Sequence, residues 1–299
     1  MIGRRARGFS GASEQVRQPL ARHLSRPRYE VFPAEGVADQ VAALVPRELK
    51  ITVTASPRLG LAGTLALAEQ LAGRGYHVAP HLSARLVRGE AELREILARL
   101  RETGVRDALV IAGDPKEPVG PYAGAYDLLV AMTELGHELE HVGISGYPES
   151  HPVISDEATI QAMFDKAPHA TYIVSQICFD PRTIAWWVGA VRARGVELPI
   201  DVGLPGIAPR TKLLRIARRI GVGESARFLR KRRSWIAQLF RPAGYSPDHI
   251  VEGLAATVAD PEARIAGFHV YTFNELERTE RWRRETLARL GIDSNSGRP

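Results

Sequence analysis

The chain has 299 residues, of which 44% are hydrophobic and 25% are charged, and this composition excludes a wholly disordered protein. A single cysteine, Cys178, excludes a disulfide framework and a multi-cysteine metal or iron–sulfur site. The sequence has neither the run of about 20 apolar residues that crosses a bilayer nor a signal-peptide core, so a soluble, cytoplasmic protein is predicted.

The formal net charge of +6 comes from two basic blocks. Residues 1–28 carry seven arginines and one acid, and residues 210–233 carry ten lysines or arginines and one acid. Neither block contains a known DNA- or RNA-binding motif, so the charge predicts no nucleic-acid partner. Residues 1–28 are predicted to form an N-terminal arm, poorly ordered or helical, and residues 293–299 a flexible tail.

Along residues 29–292, short apolar runs bounded by turn residues alternate with helical patterns. Each run is mostly β-branched or aromatic, as expected of a buried parallel strand. The predicted strands cover residues 29–33, 50–54, 76–80, 108–112, 140–146, 171–176, 199–203 and 267–273. The predicted helices cover residues 61–72, 90–102, 126–135, 181–194, 209–220 and 276–290.

This alternation predicts the α/β class. Eight strand–helix units in about 270 residues are typical of a (β/α)8 TIM barrel, here a single domain with an N-terminal extension. The alternative is a doubly wound open sheet, but no glycine fingerprint follows the first predicted strand. In a barrel, a functional site is expected at the carboxyl ends of the strands and in the loops that follow them.

Polar side chains of several types gather at these predicted strand ends. His81, Asp114, Tyr147, His151 and Gln176 can exchange hydrogen bonds with a flat heteroaromatic ligand. Simpler interpretations stay open for two of them, because Asp114 stands in a Gly-Asp-Pro turn and His81 follows a proline in a predicted loop. The His, Asp and Glu residues are too scattered to predict a metal site.

Glu30 lies inside the first predicted strand, between Tyr29 and Val31. If its carboxyl group faces the barrel interior, loss of water raises the pKa and makes Glu30 a candidate general acid. One strand residue does not reveal which way it faces, so an outward side chain or a structural ion pair with an arginine stays open. Cys178 has no evident base and is interpreted as a small apolar core residue.

In chain order, these segments resemble the methylenetetrahydrofolate reductase family over about residues 29–275. The most specific segment is Gly-Tyr-Pro-Glu-Ser-His-Pro at residues 146–152, which is similar to the family's Tyr-Pro-Glu-x-His-Pro after strand 5. Tyr-Glu-Val-Phe-Pro at residues 29–33 resembles the start of the family's first strand. The other matching segments are Ile-Thr-Val-Thr at 51–54, His-Leu-Ser at 81–83, Gly-Asp at 113–114, Ser-Gln at 175–176, Phe-Asp at 179–180, Pro-Gly-Ile-x-Pro at 205–209 and Phe-His-x-Tyr-Thr-x-Asn at 268–274.

The resemblance implies reduction of 5,10-methylenetetrahydrofolate to 5-methyltetrahydrofolate by NAD(P)H through bound FAD, in one-carbon metabolism. It implies that Glu30 protonates a substrate nitrogen, that Asp114 favours the resulting iminium cation, and that Gln176 binds the pterin. It also makes Phe273 a substrate-binding position. The flavin-binding positions that it implies are Thr54, His81, Gly113, Ala125, Tyr147, His151 and Lys166.

Two departures from the family pattern concern the flavin. Ala112 stands where the family has the arginine of Arg-Gly-Asp, and Lys166 is what remains of an Arg-Lys pair before strand 6. Fewer cations weaken the neutralisation of a dinucleotide, so direct hydride transfer from the nicotinamide is the alternative to FAD. The basic block at residues 210–233 follows strand 7, where it could meet a pyrophosphate or a polyglutamate tail, or form solvated amphipathic helices.

Two other functions stay open at this point. The lost cations fit a folate- or flavin-binding protein that lacks its own redox turnover and serves one-carbon demethylation. The fold alone also allows an unrelated barrel enzyme, such as a phosphate-binding lyase. The sequence therefore predicts a folate as the small-molecule ligand and no membrane partner, and it leaves homo-oligomerisation undecided.

Overall fold

The predicted barrel is confirmed by the structure, a computed structural model that describes residues 13–55, 59–149, 155–209 and 246–292. Eight parallel strands follow one another around a closed barrel in sequence order, and the last strand pairs with the first. The strands are β1 (Arg28–Val31), β2 (Lys50–Val53), β3 (Val78–Ser83), β4 (Asp107–Ile111), β5 (His141–Gly146), β6 (Tyr172–Ser175), β7 (Ile200–Pro205) and β8 (Ile265–Tyr271).

Helices cover the outside of the barrel, and five of them lie within one residue of their predicted bounds. Four others were not among the predicted helices: Val37–Leu44, Asp156–Lys166, Asp248–Gly253 and Ala255–Ala259. Three of these four have only five to eight residues, which are too few to show helical periodicity. In the described ranges the helices are α1 (Glu14–Ser25), α2 (Val37–Leu44), α3 (Gly60–Gly73), α4 (Glu90–Glu102), α5 (Ala125–Leu135), α6 (Asp156–Lys166), α7 (Pro181–Ala193), α8 (Asp248–Gly253), α9 (Ala255–Ala259) and α10 (Leu276–Arg289). None of these is both long and apolar enough to cross a membrane.

Several predictions fall partly or wholly on residues that the structure does not describe. The helix predicted over residues 209–220 lies outside the described residues from residue 210 onward, as does the basic block at residues 210–233. Residues 1–12 of the predicted arm and the tail at residues 293–299 also lie outside them.

The strand predicted at residues 76–80 begins two residues later and runs three residues further than expected. The sequence pattern suggested an end at Pro80, but Pro80 stays in register with Val53 of β2, and His81 pairs with Leu109 of β4. All six residues of β3 are buried. His81 therefore lies inside a strand, where its side-chain direction is fixed, and not in a loop.

Helix α1 belongs to the packed outer layer. Leu20, Ala21 and Leu24 are buried, and the helix contacts α9, α10 and β8. Arg283 of α10 donates hydrogen bonds to the backbone carbonyls of Leu24 and Ser25, each at 3.2 Å. These bonds satisfy carbonyls at the helix end that have no partner within the helix.

One face of the first strand packs against the outer helices, and the other face points into the barrel interior. Tyr29 and Val31 pack under the outer helices, and the Tyr29 hydroxyl donates to Glu280 of α10 at 2.9 Å. Successive side chains of a strand point to opposite faces, so Arg28 and Glu30 point into the barrel. The open question about the direction of Glu30 is thus answered by its neighbours in the strand.

The amino end of the barrel interior is closed by an ion-pair plug, which consists of Arg28, Lys50, Asp107, Tyr172 and Asp201. Arg28 contacts Asp107 at 2.8 Å and Asp201 at 2.6 Å. The Tyr172 hydroxyl donates to Asp107 at 2.7 Å, and Lys50 lies 3.5 Å from the same carboxylate. Burial lowers the pKa of Arg28, but Tyr172, Asp201 and Asp107 outweigh burial, so the net shift is upward and Arg28 stays charged.

Candidate active site

Above the ion-pair plug, toward the carboxyl ends of the strands, three side chains form an acid cluster: Glu30 of β1, His81 of β3 and His269 of β8. Oε2 of Glu30 lies 3.1 Å from Nε2 of His269 and 3.6 Å from Nε2 of His81. The side chains are 9%, 7% and 0% exposed for Glu30, His81 and His269, respectively. Three separate strands therefore bring one carboxyl group and two imidazoles together in a nearly dry interior.

Burial determines the charge of this cluster. It raises the pKa of Glu30 to about 7, although His81 acts in the opposite direction. It lowers the pKa of His81 to about 4 and the pKa of His269 to about 3. Both imidazoles are therefore neutral near pH 7, where a substantial fraction of Glu30 keeps its proton.

Unpaired polar atoms surround the acid cluster. Within the described part of the chain, Oγ1 of Thr52, Oγ of Ser83, both ring nitrogens of His81 and Nδ1 of His269 are buried without a hydrogen-bond partner. Buried polar atoms in folded proteins are nearly always paired with protein or with ordered water. This concentration of unsatisfied donors and acceptors indicates a place where a polar ligand or water supplies the missing partners.

The turn after β8 fixes the backbone of Glu30. Thr272 donates its hydroxyl to the Glu30 carbonyl, and the Asn274 side chain bonds to both the N–H and the carbonyl of Phe32 at 3.0 Å. Phe273 and Asn274 adopt left-handed backbone angles, with φ of 55° and 59°. Such angles are costly for residues other than glycine, so the contacts with β1 hold the turn in place. Phe273, a predicted substrate-binding residue, is buried in this turn.

Three predicted residues follow the carboxyl ends of β2 and β4. Gly113 follows β4 with φ of +94°, and a Cβ atom there would lie 3.1 Å from Cβ of Ser83. Glycine therefore allows the β4–α5 loop to lie against the end of β3. Asp114 comes next and is exposed, while Thr54 follows β2 and is half-buried.

Two more predicted residues stand at the carboxyl edge on the other side of the barrel. Tyr147 follows β5 and is half-buried, and burial raises the pKa of its phenol. Gln176 follows β6 and is exposed, with its Oε1 atom accepting a hydrogen bond from the N–H of Ile177 at 3.2 Å. Its amide nitrogen therefore remains available at the surface of the edge.

The remaining predicted flavin positions differ in location. Ala125 is the buried first residue of α5, where this helix begins. Lys166 is the last residue of α6. Burial lowers the pKa of its ammonium group. His151 lies outside the described residues.

Arg85 holds the loop that carries Asp114. Its Nε donates to the carbonyl of Ala123 at 2.7 Å, and its Nη1 donates to the carbonyl of Pro115 at 3.0 Å. The backbone N–H of Arg85 also donates to the carbonyl of Ala112 at 3.0 Å. The β4–α5 loop is thus attached to the end of β3 at both of its ends.

Sequence reasoning assigned no role to His269, Thr52 or Arg85. For His269 and Thr52 the available signal was the two-residue periodicity, because inward positions recur at every second residue of a strand. For Arg85 there was none, because its partners are backbone carbonyls 30 and 38 residues away. Cys178 is 0% exposed, and burial raises its pKa, which agrees with its interpretation as a core residue.

The geometry allows one kind of chemistry in particular. A carboxyl group that keeps a proton near neutral pH can act as a general acid toward a ligand bound above it. The unpaired atoms of β2 and β3 can bind the edge of a flat polar ligand, and Asp114 adds an exposed carboxylate at the rim.

Comparisons with known proteins point to one family. A family model described as methylenetetrahydrofolate reductase matches residues 37–282. The chain is 31% identical over 134 residues to methylenetetrahydrofolate reductase 1 of Schizosaccharomyces pombe, covering 42% of this chain and 22% of that protein. It is 27% identical over 141 residues to methylenetetrahydrofolate reductase 2 of Saccharomyces cerevisiae, covering 44% and 23%.

A plant protein gives a similar match. The chain is 26% identical over 141 residues to methylenetetrahydrofolate reductase (NADH) 1 of Arabidopsis thaliana, covering 40% of this chain and 24% of that protein. The matched segments thus span about a quarter of the length of these curated relatives. A solved structure of Yersinia pestis DHPS with a pterine–sulfa conjugate aligns over 90% of this chain and 96% of that chain, at 15% identity, and its TM-score of 0.42 carries no argument about function.

Proposed function

Because this chain belongs to the methylenetetrahydrofolate reductase family, we propose that it reduces 5,10-methylenetetrahydrofolate to 5-methyltetrahydrofolate with NAD(P)H as the hydride source. The observation that carries the proposal is the buried carboxyl group of Glu30 between two neutral imidazoles. The names of the fungal and plant relatives support the same reaction.

In the proposed reaction, protonation of the substrate comes before hydride transfer. The methylene carbon bridges two nitrogens and accepts hydride poorly. Transfer of the Glu30 proton to one of these nitrogens breaks its bond to the methylene carbon and leaves an iminium cation, which accepts hydride readily. The product gains one proton and one hydride, and NAD(P)H becomes NAD(P)⁺. A carboxyl group whose pKa is about 7 is well matched to this step at neutral pH.

The other predicted substrate residues have roles that suit their chemistry. The Asp114 carboxylate favours the iminium cation electrostatically. The amide of Gln176 can both donate to and accept from the pterin edge. Phe273 offers a ring beside the substrate at the turn after β8. All three stand at the carboxyl edge of the barrel, and their roles are part of the proposal.

The hydride reaches the folate through bound FAD or directly from the nicotinamide. The unpaired atoms of His81 and Ser83, next to Gly113, fit the alternating donors and acceptors of an isoalloxazine edge. When bound, FAD supplies a two-electron carrier between NAD(P)H and the folate. The residues proposed to hold it are Thr54, His81, Gly113, Ala125, Tyr147, His151 and Lys166. Direct transfer is supported by Ala112 in place of a cation.

The test is NADH or NADPH oxidation that depends on methylenetetrahydrofolate, with 5-methyltetrahydrofolate identified by mass spectrometry. We expect Glu30→Gln to lower kcat by roughly 10²- to 10⁴-fold, the usual contribution of a general acid. The matched control is Glu280→Gln, which removes a second buried carboxylate, one that belongs to α10 in the outer layer and contacts Tyr29 and Arg283. Full activity of Glu30→Gln would exclude this residue as the acid.

The visible spectrum of the purified protein separates the remaining possibilities. The FAD route is supported if the protein shows flavin absorbance that disappears when NADH is added and returns when 5,10-methylenetetrahydrofolate is added. A colourless protein that turns over supports direct hydride transfer. Tetrahydrofolate binding without any turnover by the chain would instead identify a folate-binding protein that serves one-carbon demethylation.

A further inference from the structure

The two oxygens of the Glu30 carboxyl group have different surroundings. Both imidazoles of the acid cluster approach the same atom, Oε2, at 3.1 Å from His269 and 3.6 Å from His81. Within the described ranges, no hydrogen bond reaches Oε1. One oxygen is therefore held by the protein, and the other is left for a ligand.

The unpaired Nδ1 atom of His269 indicates which of its two ring nitrogens carries the proton. Its Nδ1 is buried without a partner among the described residues, while its Nε2 faces Oε2 of Glu30. A neutral imidazole carries one proton, and a buried N–H without an acceptor costs free energy. The proton therefore belongs on Nε2, where it has an acceptor, and Nδ1 is the unprotonated nitrogen.

We infer that His269 is a positioning residue for the proposed reduction: its Nε2–H binds Oε2 of Glu30, so that the acid proton is carried on Oε1 and faces the substrate. This inference depends on the proposed function only for the identity of the substrate. The hydrogen bond and the location of the proton are properties of the free protein. His81, farther from Oε2, is the weaker of the two contacts.

The charged groups around His269 do not offset the burial that keeps its imidazole neutral. Arg28 of β1 and Asp201 of β7 lie on its side of the interior, and their mutual contact at 2.6 Å balances their charges. His81 of β3 and Tyr271 of β8 face Glu30, and neither carries a charge near neutral pH. A charged His269 would hold Glu30 as a carboxylate and remove the acid, so neutrality is a requirement of the role.

The direct test is nitrogen NMR of the full-length protein with ¹⁵N-labelled histidine, with the His269 signals assigned by comparison with His269→Gln. We expect His269 to have a protonated Nε2 and an unprotonated Nδ1 at neutral pH. The opposite tautomer, or a charged ring, would overturn the inference. This measurement on the wild-type protein needs no turnover and no bound ligand.

Infrared difference spectra across a pH titration give a second readout, with Glu30→Gln as the blank. Loss of the donor in His269→Leu should move the Glu30 C=O band to higher frequency and raise its titration midpoint by about one pH unit, since the carboxylate loses a hydrogen bond. His269→Gln, which keeps an N–H donor, should restore most of both shifts. An unchanged band in His269→Leu would contradict the hydrogen bond.

Kinetics then separate this inference from the proposed function. We expect His269→Leu to lower kcat about tenfold or more with little change in KM for the folate, and to shift the acidic limb of the pH profile together with the infrared midpoint. If the spectra show the predicted hydrogen bond but no variant or wild-type protein reduces the folate, the proposed function fails and the positioning of Glu30 stands. If turnover occurs and His269→Leu matches wild type in both kcat and pH profile, the positioning role fails.

Discussion

The two ends of the barrel interior hold buried polar groups that differ in how completely they are paired. At the amino end, the ion-pair plug satisfies two carboxylates with Arg28 and adds the Tyr172 hydroxyl and Lys50. Toward the carboxyl end, the acid cluster and the neighbouring Thr52 and Ser83 keep several atoms without partners in the described residues. The polar groups at the amino end have partners within the protein, whereas the unpaired groups toward the carboxyl end can be satisfied by a bound ligand.

This difference follows from the energetics of buried charge. A buried ion is tolerated when its partners replace the water it has lost, and Arg28 has two such partners. Glu30 has only neutral neighbours, so it lowers its cost by keeping a proton. The same desolvation therefore gives a structural salt bridge at one end of the barrel and an acid at the other.

The largest expected effect comes from breaking the paired end. Arg28→Met leaves Asp107 and Asp201 buried without their shared cation, and we expect the free energy of unfolding to fall by about 3–5 kcal/mol. Urea denaturation measures this loss. The control is Lys50→Met, because this pair is longer, at 3.5 Å, and the lysine side chain is 36% exposed. We expect that variant to lose less than about 1 kcal/mol, and a larger loss for Lys50→Met than for Arg28→Met would contradict the assignment.

The next effect comes from removing the acid itself. The native protein binds more protons than the unfolded chain between the ordinary pKa of 4.5 for Glu30 and its folded value of about 7. The contribution of Glu30 to stability is therefore most favourable below this window and falls as the pH rises through it. A shift of this size corresponds to about 3 kcal/mol. We expect Glu30→Gln to be more stable than wild type by up to that amount at about pH 8, with the gap closing toward about pH 4.5.

Denaturant titrations at several pH values check this prediction, and a gap that is constant with pH would contradict it. His81 and His269 act in the opposite direction, because they stay neutral in the fold while the unfolded chain takes up protons below pH 6.5. Their contribution is present above that pH and is lost as the pH falls. Since both proteins contain these histidines, the comparison with wild type isolates Glu30 from them.

The smallest effect distinguishes two buried threonines. Oγ1 of Thr52 has no partner in the described residues, so Thr52→Val is expected to leave stability unchanged or raise it by up to about 1 kcal/mol. Oγ1 of Thr272 donates to the Glu30 carbonyl and accepts from the N–H of Asn274, so Thr272→Val should lower stability by about 1–2 kcal/mol. Thermal unfolding of both variants measures the contrast. Equal losses would show that the Thr52 hydroxyl is paired in solution.

The sequence was informative where local pattern and environment agree. The bounds of α4 were predicted to the residue, because its apolar spacing and the glycine that follows it are both local signals. The closed barrel followed from eight repeats of the same alternation, and the resemblance to the family made Glu30 and the residues at the strand ends candidates for the site. These features need only short stretches of chain, and their order is the order of the sequence.

The pairing of buried groups was beyond sequence reasoning. Arg28 and Asp107 are 79 residues apart, and Glu30 and His269 are 239 residues apart, so no local pattern links them. His81 was placed in a loop because Pro80 looked like the end of a strand, while pairing with β2 and β4 continues the strand.

By itself, the order of apolar and polar residues determined an eight-stranded α/β barrel and a set of polar residues at its carboxyl end, because backbone periodicity and turn chemistry are local. Tertiary structure alone decided that Glu30 points inward, that Oε2 is the oxygen that His269 contacts, and that Arg28 is neutralised one layer below. The physical reason is that closure of the barrel removes water from side chains that are distant in sequence. The partners that each group then finds determine whether it stays charged.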